Sequence, residues 1–285
     1  MTAPRSLWRR IGARPTARAA LTLLVVLGVL GALAPVIAPH DPKTQHDIVA
    51  LKRQAPSVAH PFGTDQFSRD VLSRVLHGGR LSLAIALIAV ALSATIGTAY
   101  GAVAGFYGGW VDAILMRALD ALLAIPRVLL VIAAAVLWGP LGIPSLVLIL
   151  GVTGWFGVSR LIRAEVLSVV SRDYVAAARA LGGSDARLLV THVLPNVLSP
   201  VIVGAALGVG NVIVLEAGLS YLGAGVQPPH ASWGNIIRDG STDLGGLWWM
   251  SFFPGLAIVG TVLACNLLGD ALRDALDPRQ LPTND

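Results

Sequence analysis

The chain has 285 residues, of which 55% are hydrophobic and only 13% charged. Soluble domains carry about a quarter of charged residues, so a soluble globular protein is excluded. The formal net charge is +5, and every basic residue except Lys43 and Lys52 is arginine; with no soluble basic domain to bind nucleic acid, that excess speaks for membrane orientation. Cys265 is the single cysteine, which rules out an internal disulfide.

Residues 1–18 carry Arg5, Arg9, Arg10, Arg14 and Arg18 and no acid, which assigns them to the cytoplasm under the positive-inside tendency. The uncharged stretch 19–38 is long enough to cross a hydrocarbon core of roughly 30 Å and is read as the first transmembrane helix. A cleaved signal peptide is the other reading. The long apolar core and the lack of a small-x-small cut site in "APVIAPHDP" favour a retained span.

Residues 39–80 form an external loop. Its six basic residues run against the orientation rule, but four aspartates accompany them and the loop is long enough to weaken the rule. Within it, "HPFGTDQFSRDVLSRVLHGGRLSL" has a Thr64/Asp65 start signal, apolar Val71, Leu72, Val75 and Leu76 at helical spacing, and a Gly78-Gly79 stop. This predicts a short amphipathic helix at the membrane face that leads into the second span. His40, His46 and His60 fit no compact ligand spacing and are expected as scattered, solvated side chains.

Residues 81–279 make an all-α core with five further spans: 81–107 (uncharged), 113–138 (containing Arg117, Asp120 and Arg127), 141–158, 199–221 (containing Glu216) and 249–268. Gly97, Gly101 and Gly105 repeat on one helical face and predict close helix contact; Gly204 and Gly208 fit either such a contact or an ordinary glycine-rich membrane helix. Pro126 should kink the third span, and "GPLGIP" makes a tight external turn. Six alternating spans put both termini, including the tail 280–285, and the segment 160–198 on the cytoplasmic side.

Ionisable residues inside spans are functional candidates by default. Arg117 and Asp120, three apart, are expected to pair as a structural ion pair. Glu216 has no basic residue within a helical turn, so it is expected to face a pore, a partner or water. Arg127 is left with two readings, lining a pathway or pairing with Glu216.

Between the fourth and fifth spans lies a polar island, "RDYVAAARALGGSDARLLVTHVLPN". Residues 173–180 are alanine-rich and helix-favouring, Gly182-Gly183 breaks the helix, and Ser184-Asp185 supplies a cap and a first-turn acid for a second helix ending near Pro195. A helix, glycine turn and helix too short for a core of its own suits a surface that docks on membrane lipid or on a soluble partner.

"DYVAAARALGGSD" followed by "HVLPN" resembles the cytoplasmic EAA loop of permease subunits in bacterial ATP-binding cassette importers. By that resemblance the motif's glutamate aligns with Ala176, its alanines with Ala177 and Ala178, and its glycine with Gly182. The replacement at Ala176 removes a charge usually present. "HPFGTDQFSRDVLSRVLHGGRLSL" (with Ser68 where glycine is usual), "EAGLSYLGAGVQPPHASWG" and "FPGLAIVGTVLACNLLGDALRDALDP" are similar to three further signatures of the dipeptide/oligopeptide/nickel branch, in particular its second permease. Together these cover roughly residues 17 to 279.

The resemblance implies a six-helix type I importer permease in the bacterial inner membrane. It implies as partners a homologous second permease, two ATPase subunits and an external solute-binding protein. Peptide is the expected substrate, with nickel, glutathione or haem as alternatives. The ATPase-coupling residues would be Asp173, Tyr174, Ala176, Ala177, Ala178, Arg179, Leu181, Gly182, Ser184 and Asp185. The chain has no G-x-x-x-x-G-K-[ST] phosphate loop, so ATP and magnesium are expected on the partner ATPases, with no cofactor or metal here. No catalytic constellation is present, which argues against an enzyme. A self-sufficient secondary transporter or channel using Glu216 and Arg127 as an ion relay is the competing class.

Overall fold

The computed structural model describes residues 12, 14–45, 47, 49–139, 142–243 and 245–276. Helix dominates them; they contain no strand, only an isolated bridge between Thr64 and Asp70. Helix α1 spans Pro15–Ala32 and α2 spans Ala34–Ile37. The first span therefore begins earlier than position 19 and breaks before 38. Pro15 opens α1 at a position where its missing N–H costs nothing, and Pro35 opens α2 in the same way. Ala17 of α1 packs against Ala271 near the end of the last helix.

Helix α3, Val71–Tyr107, runs 37 residues without interruption, about 55 Å at 1.5 Å per residue. The separate amphipathic helix expected in the loop 39–80 is its first two turns. Its cap is Asp70, whose carboxylate accepts from Ser73 N at 2.8 Å, and not Thr64/Asp65. Gly78 and Gly79 do not end it. A side chain on Gly79 would lie 2.9 Å from the Trp233 ring, and one on Gly78 3.2 Å from the Ser232 backbone. These glycines admit a neighbouring loop rather than stop a helix.

The third span is broken. Helix α4 (Gly109–Leu123) and α5 (Arg127–Trp138) meet at 73°. Pro126 at the junction has no N–H to give and its ring blocks the preceding turn, so the expected kink becomes a break. Helix α6, Ile143–Val170, lies along α3. It runs a dozen residues beyond the expected end at 158, which puts Arg160 and Arg163 on the helix. The Gly97/Gly101/Gly105 face is the seam, with added side chains meeting Val158 at 2.6 Å, Arg163 N at 3.0 Å and Val166 at 2.9 Å. Gly204 and Gly208 are looser, 3.9 and 3.5 Å from their nearest neighbours, so they fit the ordinary reading.

After α6 come α7 (Asp173–Ala180), α8 (Asp185–Leu188), a π-helical turn (Leu189–Val193) and α9 (Leu194–Tyr221). The second helix of the island does not end near Pro195. The wider π turn absorbs the proline at the start of α9, and the chain continues into the fifth span. Short helix α10 (Trp233–Gly240) and the long α11 (Trp248–Leu276) complete the fold. Five helices are long and apolar enough to cross a bilayer, and the α4/α5 pair makes six if it counts as one broken span. Ile85, Ala86 and Ala89 of α3 share the main core with Leu146 and Leu150 of α6 and Ile213 of α9. Leu87, Ile114, Val136 and Val259 point outward, as lipid-facing or subunit-facing side chains do.

Candidate functional site

Helix α7 has the bounds that the alanine run and the glycine break predict. Its one fully buried residue is Val175, which joins a cluster with Phe106 of α3, Val169 of α6 and Leu188 of α8. Asp173, Tyr174, Ala176, Ala177 and Arg179 are exposed and Ala178 is half-buried, while Leu181 projects with 89% of its surface free. Arg179 reaches back over the Phe106 ring at 5.8 Å. The turn after α7 depends on Gly182, at φ +84°, a conformation that L side chains rarely adopt. Its N–H bonds to Arg179 O at 3.0 Å, and Gly183 N bonds to Ala178 O at 3.2 Å, closing the end of the helix. Ser184 stands at the cap position of α8 with Asp185 in the first turn, but its hydroxyl makes no capping bond. The result is a small protruding face of alanines on a hydrophobic root.

Ion pairs tie the helices beneath it. Asp112 of α4 takes two bonds from Arg163 of α6. Asp120 pairs with Arg160, not with Arg117, three residues away on its own helix. The expected Arg117–Asp120 pair is thus replaced by one between α4 and α6, made possible by the extension of α6 past residue 158.

Higher in the bundle, α3, α5, α6 and α9 enclose a cavity of about 200 Å³ whose lining includes Ser93, Arg127, Gly154, Gly204 and Asn211. Arg127 Nη2 donates to Leu150 O at 2.6 Å, and Nε donates to Thr153 Oγ1 at 3.1 Å. It lines the cavity and does not meet Glu216. Glu216 itself is fully buried, facing neither a pore nor water. Its two oxygens accept from Ser82 Oγ of α3 at 3.0 Å and from Ser220 Oγ at 2.6 Å. Ser220 Oγ in turn accepts from Val226 N at 3.0 Å and lies 3.3 Å from Ser232 Oγ. The carboxyl group thereby pins the return loop before α10 to α3 and α9, in keeping with the rule that buried polar groups are hydrogen-bonded.

Residues 97–281 match the family of binding-protein-dependent transport system inner membrane components, well over half of the chain. The chain belongs to that family. Residues 5–56 of this permease also match the N-terminal transmembrane domain of oligopeptide transport permease C. It is 40% identical over 273 residues to a dipeptide transport system permease protein of Bacillus subtilis, covering 95% of this chain and 84% of the relative. To a glutathione transport system permease protein of Pectobacterium atrosepticum it is 38% identical over 275 residues, covering 96% and 91%.

At the far end of α3 the permease carries a cluster that sequence reading missed. Asp65 accepts from Arg69 Nε and from Arg74 Nη1, both at 2.6 Å, and Asp239 of α10 accepts from Arg74 Nη2 at 2.9 Å and Arg69 Nη2 at 3.2 Å. A capping box between Ser232 and Asn235 starts α10, and Trp233, Asn235 and Ile236 are buried. Residues 231–236 are buried, while Pro228, Pro229 and His230 before them are exposed.

The histidines also depart from expectation. His60 is buried with Nδ1 3.0 Å from Asp70 Oδ1, and its ring lies 4.8 Å from that of His40. His40, His60 and Asp70 bring ligand atoms within 4.8 Å of one another. His60 and Asp70 already have structural work there, since Asp70 caps α3 through its other oxygen. His46 lies outside the described residues. The signal for this cluster was the aspartate at the N-cap, visible in the sequence only as one of several acids before an apolar run.

Proposed function

We propose that this chain is one of two permease subunits of an ATP-driven importer in the bacterial plasma membrane, and that it forms half of a pathway for peptides. Two ATPase subunits, which bind the ATP and magnesium, dock on the cytoplasmic side. A homologous permease completes the pathway, and an external solute-binding protein delivers the substrate. Both termini and the segment 160–198 face the cytoplasm, and the loop 39–70 faces outward. The relatives named for dipeptide and glutathione transport support a short peptide as the class of cargo.

One observation carries the reading. Helix α7 stands out from the bundle on a single buried residue, Val175, and that residue is packed on the ends of α3 and α6. A partner that grips the exposed Ala176–Ala177 face moves Val175, and with it the helices that line the cavity. The docking surface comprises Asp173, Tyr174, Ala176, Ala177, Ala178, Arg179 and Leu181, positioned by Gly182, Ser184 and Asp185. This is a two-state element biased by nucleotide binding on another chain. A self-sufficient ion relay through Glu216 and Arg127 has no such support, because those residues bond to different groups.

The test is uptake of a radiolabelled tripeptide into proteoliposomes. Uptake is expected only with both permeases, the ATPases, the binding protein and ATP present. Uptake by this chain alone, driven by an ion gradient, would contradict the proposal.

A further inference from the structure

The cavity between α3, α5, α6 and α9 is lined mainly by small and apolar side chains, such as Val90, Ala94 and Val201, and contains one ionisable group, Arg127. No carboxylate lines it. The nearest candidate on sequence grounds, Glu216, is committed to Ser82 and Ser220. The guanidinium is held by two neutral acceptors, Leu150 O and Thr153 Oγ1, and the Thr153 hydroxyl is itself fixed by donating to Ile149 O at 2.7 Å. Five N–H groups are available on an arginine. Those two bonds fix the plane of the fork and leave Nη1 without a hydrogen bond among the described residues. No ion pair to Arg127 occurs among them either.

A fixed positive charge in an apolar membrane cavity, oriented by neutral carbonyl and hydroxyl groups and uncompensated by any acid, is a site for an anion. A planar fork with a free edge matches a carboxylate, which it can hold through paired, charge-assisted hydrogen bonds. Asn211, exposed on the lining, adds an amide that can both donate and accept, as a peptide backbone requires. Building on the peptide-permease reading, we propose that Arg127 is a specificity-determining residue that receives the C-terminal carboxylate of the peptide during its passage. The membrane pathway then contributes to selection after the binding protein has released its cargo.

The experiment measures ATP-driven uptake of trialanine and of trialanine amide by proteoliposomes holding the complete complex. Binding protein saturated with each peptide is supplied identically to wild type, Arg127→Gln and Arg127→Lys. Because the binding protein is unchanged, any shift in the acid-to-amide ratio belongs to the permease. Arg127→Gln is expected to lower trialanine uptake about tenfold and to collapse the ratio, since a charge-assisted hydrogen bond is worth at least that factor. Arg127→Lys, which keeps the charge but loses the fork, should retain the preference in reduced form. The same ratio in Arg127→Gln as in wild type overturns the proposal. So does an assembled Arg127→Lys complex as indifferent to the carboxylate as Arg127→Gln. A C-terminally amidated Ala-Glu-Ala carried as well as trialanine would show that any carboxylate serves, which contradicts the terminal assignment. A wild-type complex that carries no peptide removes the peptide reading itself, whereas the other outcomes leave that reading standing.

Discussion

Arg74 and Asp239, separated by 165 residues in sequence, meet at 2.9 Å at the N-terminal end of α3, with Asp65 bound to the other arm of the same guanidinium. Arg74 is 3% exposed and Asp65 fully buried. Replacing Arg74 removes one of the two guanidiniums that hold this pair of carboxylates and leaves buried Asp65 with Arg69 as its one cationic partner. Arg74→Met is therefore expected to cost on the order of 3 kcal/mol of stability. The exposed pair between Arg53 and Asp243 is the control, and Arg53→Ala should change stability by less than about 0.5 kcal/mol. Thermal denaturation of the purified permease pair in detergent separates the two; equal small effects would refute the role given to Arg74.

The seam between α3 and α6 gives a second prediction. An added methyl at Gly101 would meet Arg163 N at 3.0 Å and Ile162 at 3.1 Å, and backbone on the facing helix cannot swing aside. Gly101→Ala should lose roughly 1–3 kcal/mol through overpacking. Gly204→Ala, with its nearest neighbour 3.9 Å away, should be close to neutral. Permease abundance in membranes and melting of the purified protein are the readouts. A Gly101→Ala variant as stable as Gly204→Ala would show that the helices do not pack through this face.

Glu216 tests the difference between a gate and a buried anchor. In Glu216→Gln an acceptor oxygen remains for one serine and the amide can donate to the other, so transport should persist. Glu216→Leu strands the hydroxyls of Ser82 and Ser220, each at a cost of about 1–3 kcal/mol, and releases the loop before α10. Uptake and permease yield should fall together in Glu216→Leu. Loss of uptake at normal yield in Glu216→Gln would instead identify the carboxylate as part of the transport chemistry.

How far the sequence foretold this depends on how local each feature is. Residues 173–180 form a helix because alanines favour it and Gly182 ends it, and both facts are local. Pro126 and the Gly97/Gly101/Gly105 repeat were legible for the same reason: backbone geometry and helical period act within a few residues. Glu216 was misread because its donors come from Ser82, 134 residues away, and from Ser220. His60 is expected as a solvated side chain, and its partner Asp70 meets it only because the loop folds back onto the start of α3. Gly78-Gly79 carries two meanings, a helix stop and a close approach, and only Trp233 packed against it decides between them. Arg127 was open between a pathway and a pair, and it lines the cavity because its bonds go to α6.

The turn after α7 yields a fourth prediction. At φ +84° with open space around it, Gly182 is needed for its backbone and not for room. Gly182→Val should cost about 1 kcal/mol or more and redirect α7, so ATPase subunits should no longer co-purify although the permease pair still assembles. Ala176→Glu, on the exposed face, should keep them bound. Retention of the ATPases by Gly182→Val with normal uptake would separate the turn from coupling.

The central claim, that α7 is where the ATPases take hold, is tested most directly by cross-linking. Single cysteines at Ala177 and, as a control on the face proposed to be external, at Val58, which is fully exposed in the loop before α3, are placed in a Cys265→Ser background of the complete complex. A short bifunctional thiol-amine reagent should join Ala177→Cys to an ATPase subunit and leave Val58→Cys unjoined. An impermeant thiol reagent added outside intact cells should label only Val58→Cys. Labelling of Ala177→Cys from outside, or no ATPase product from a complex that hydrolyses ATP and carries peptide, would contradict the account.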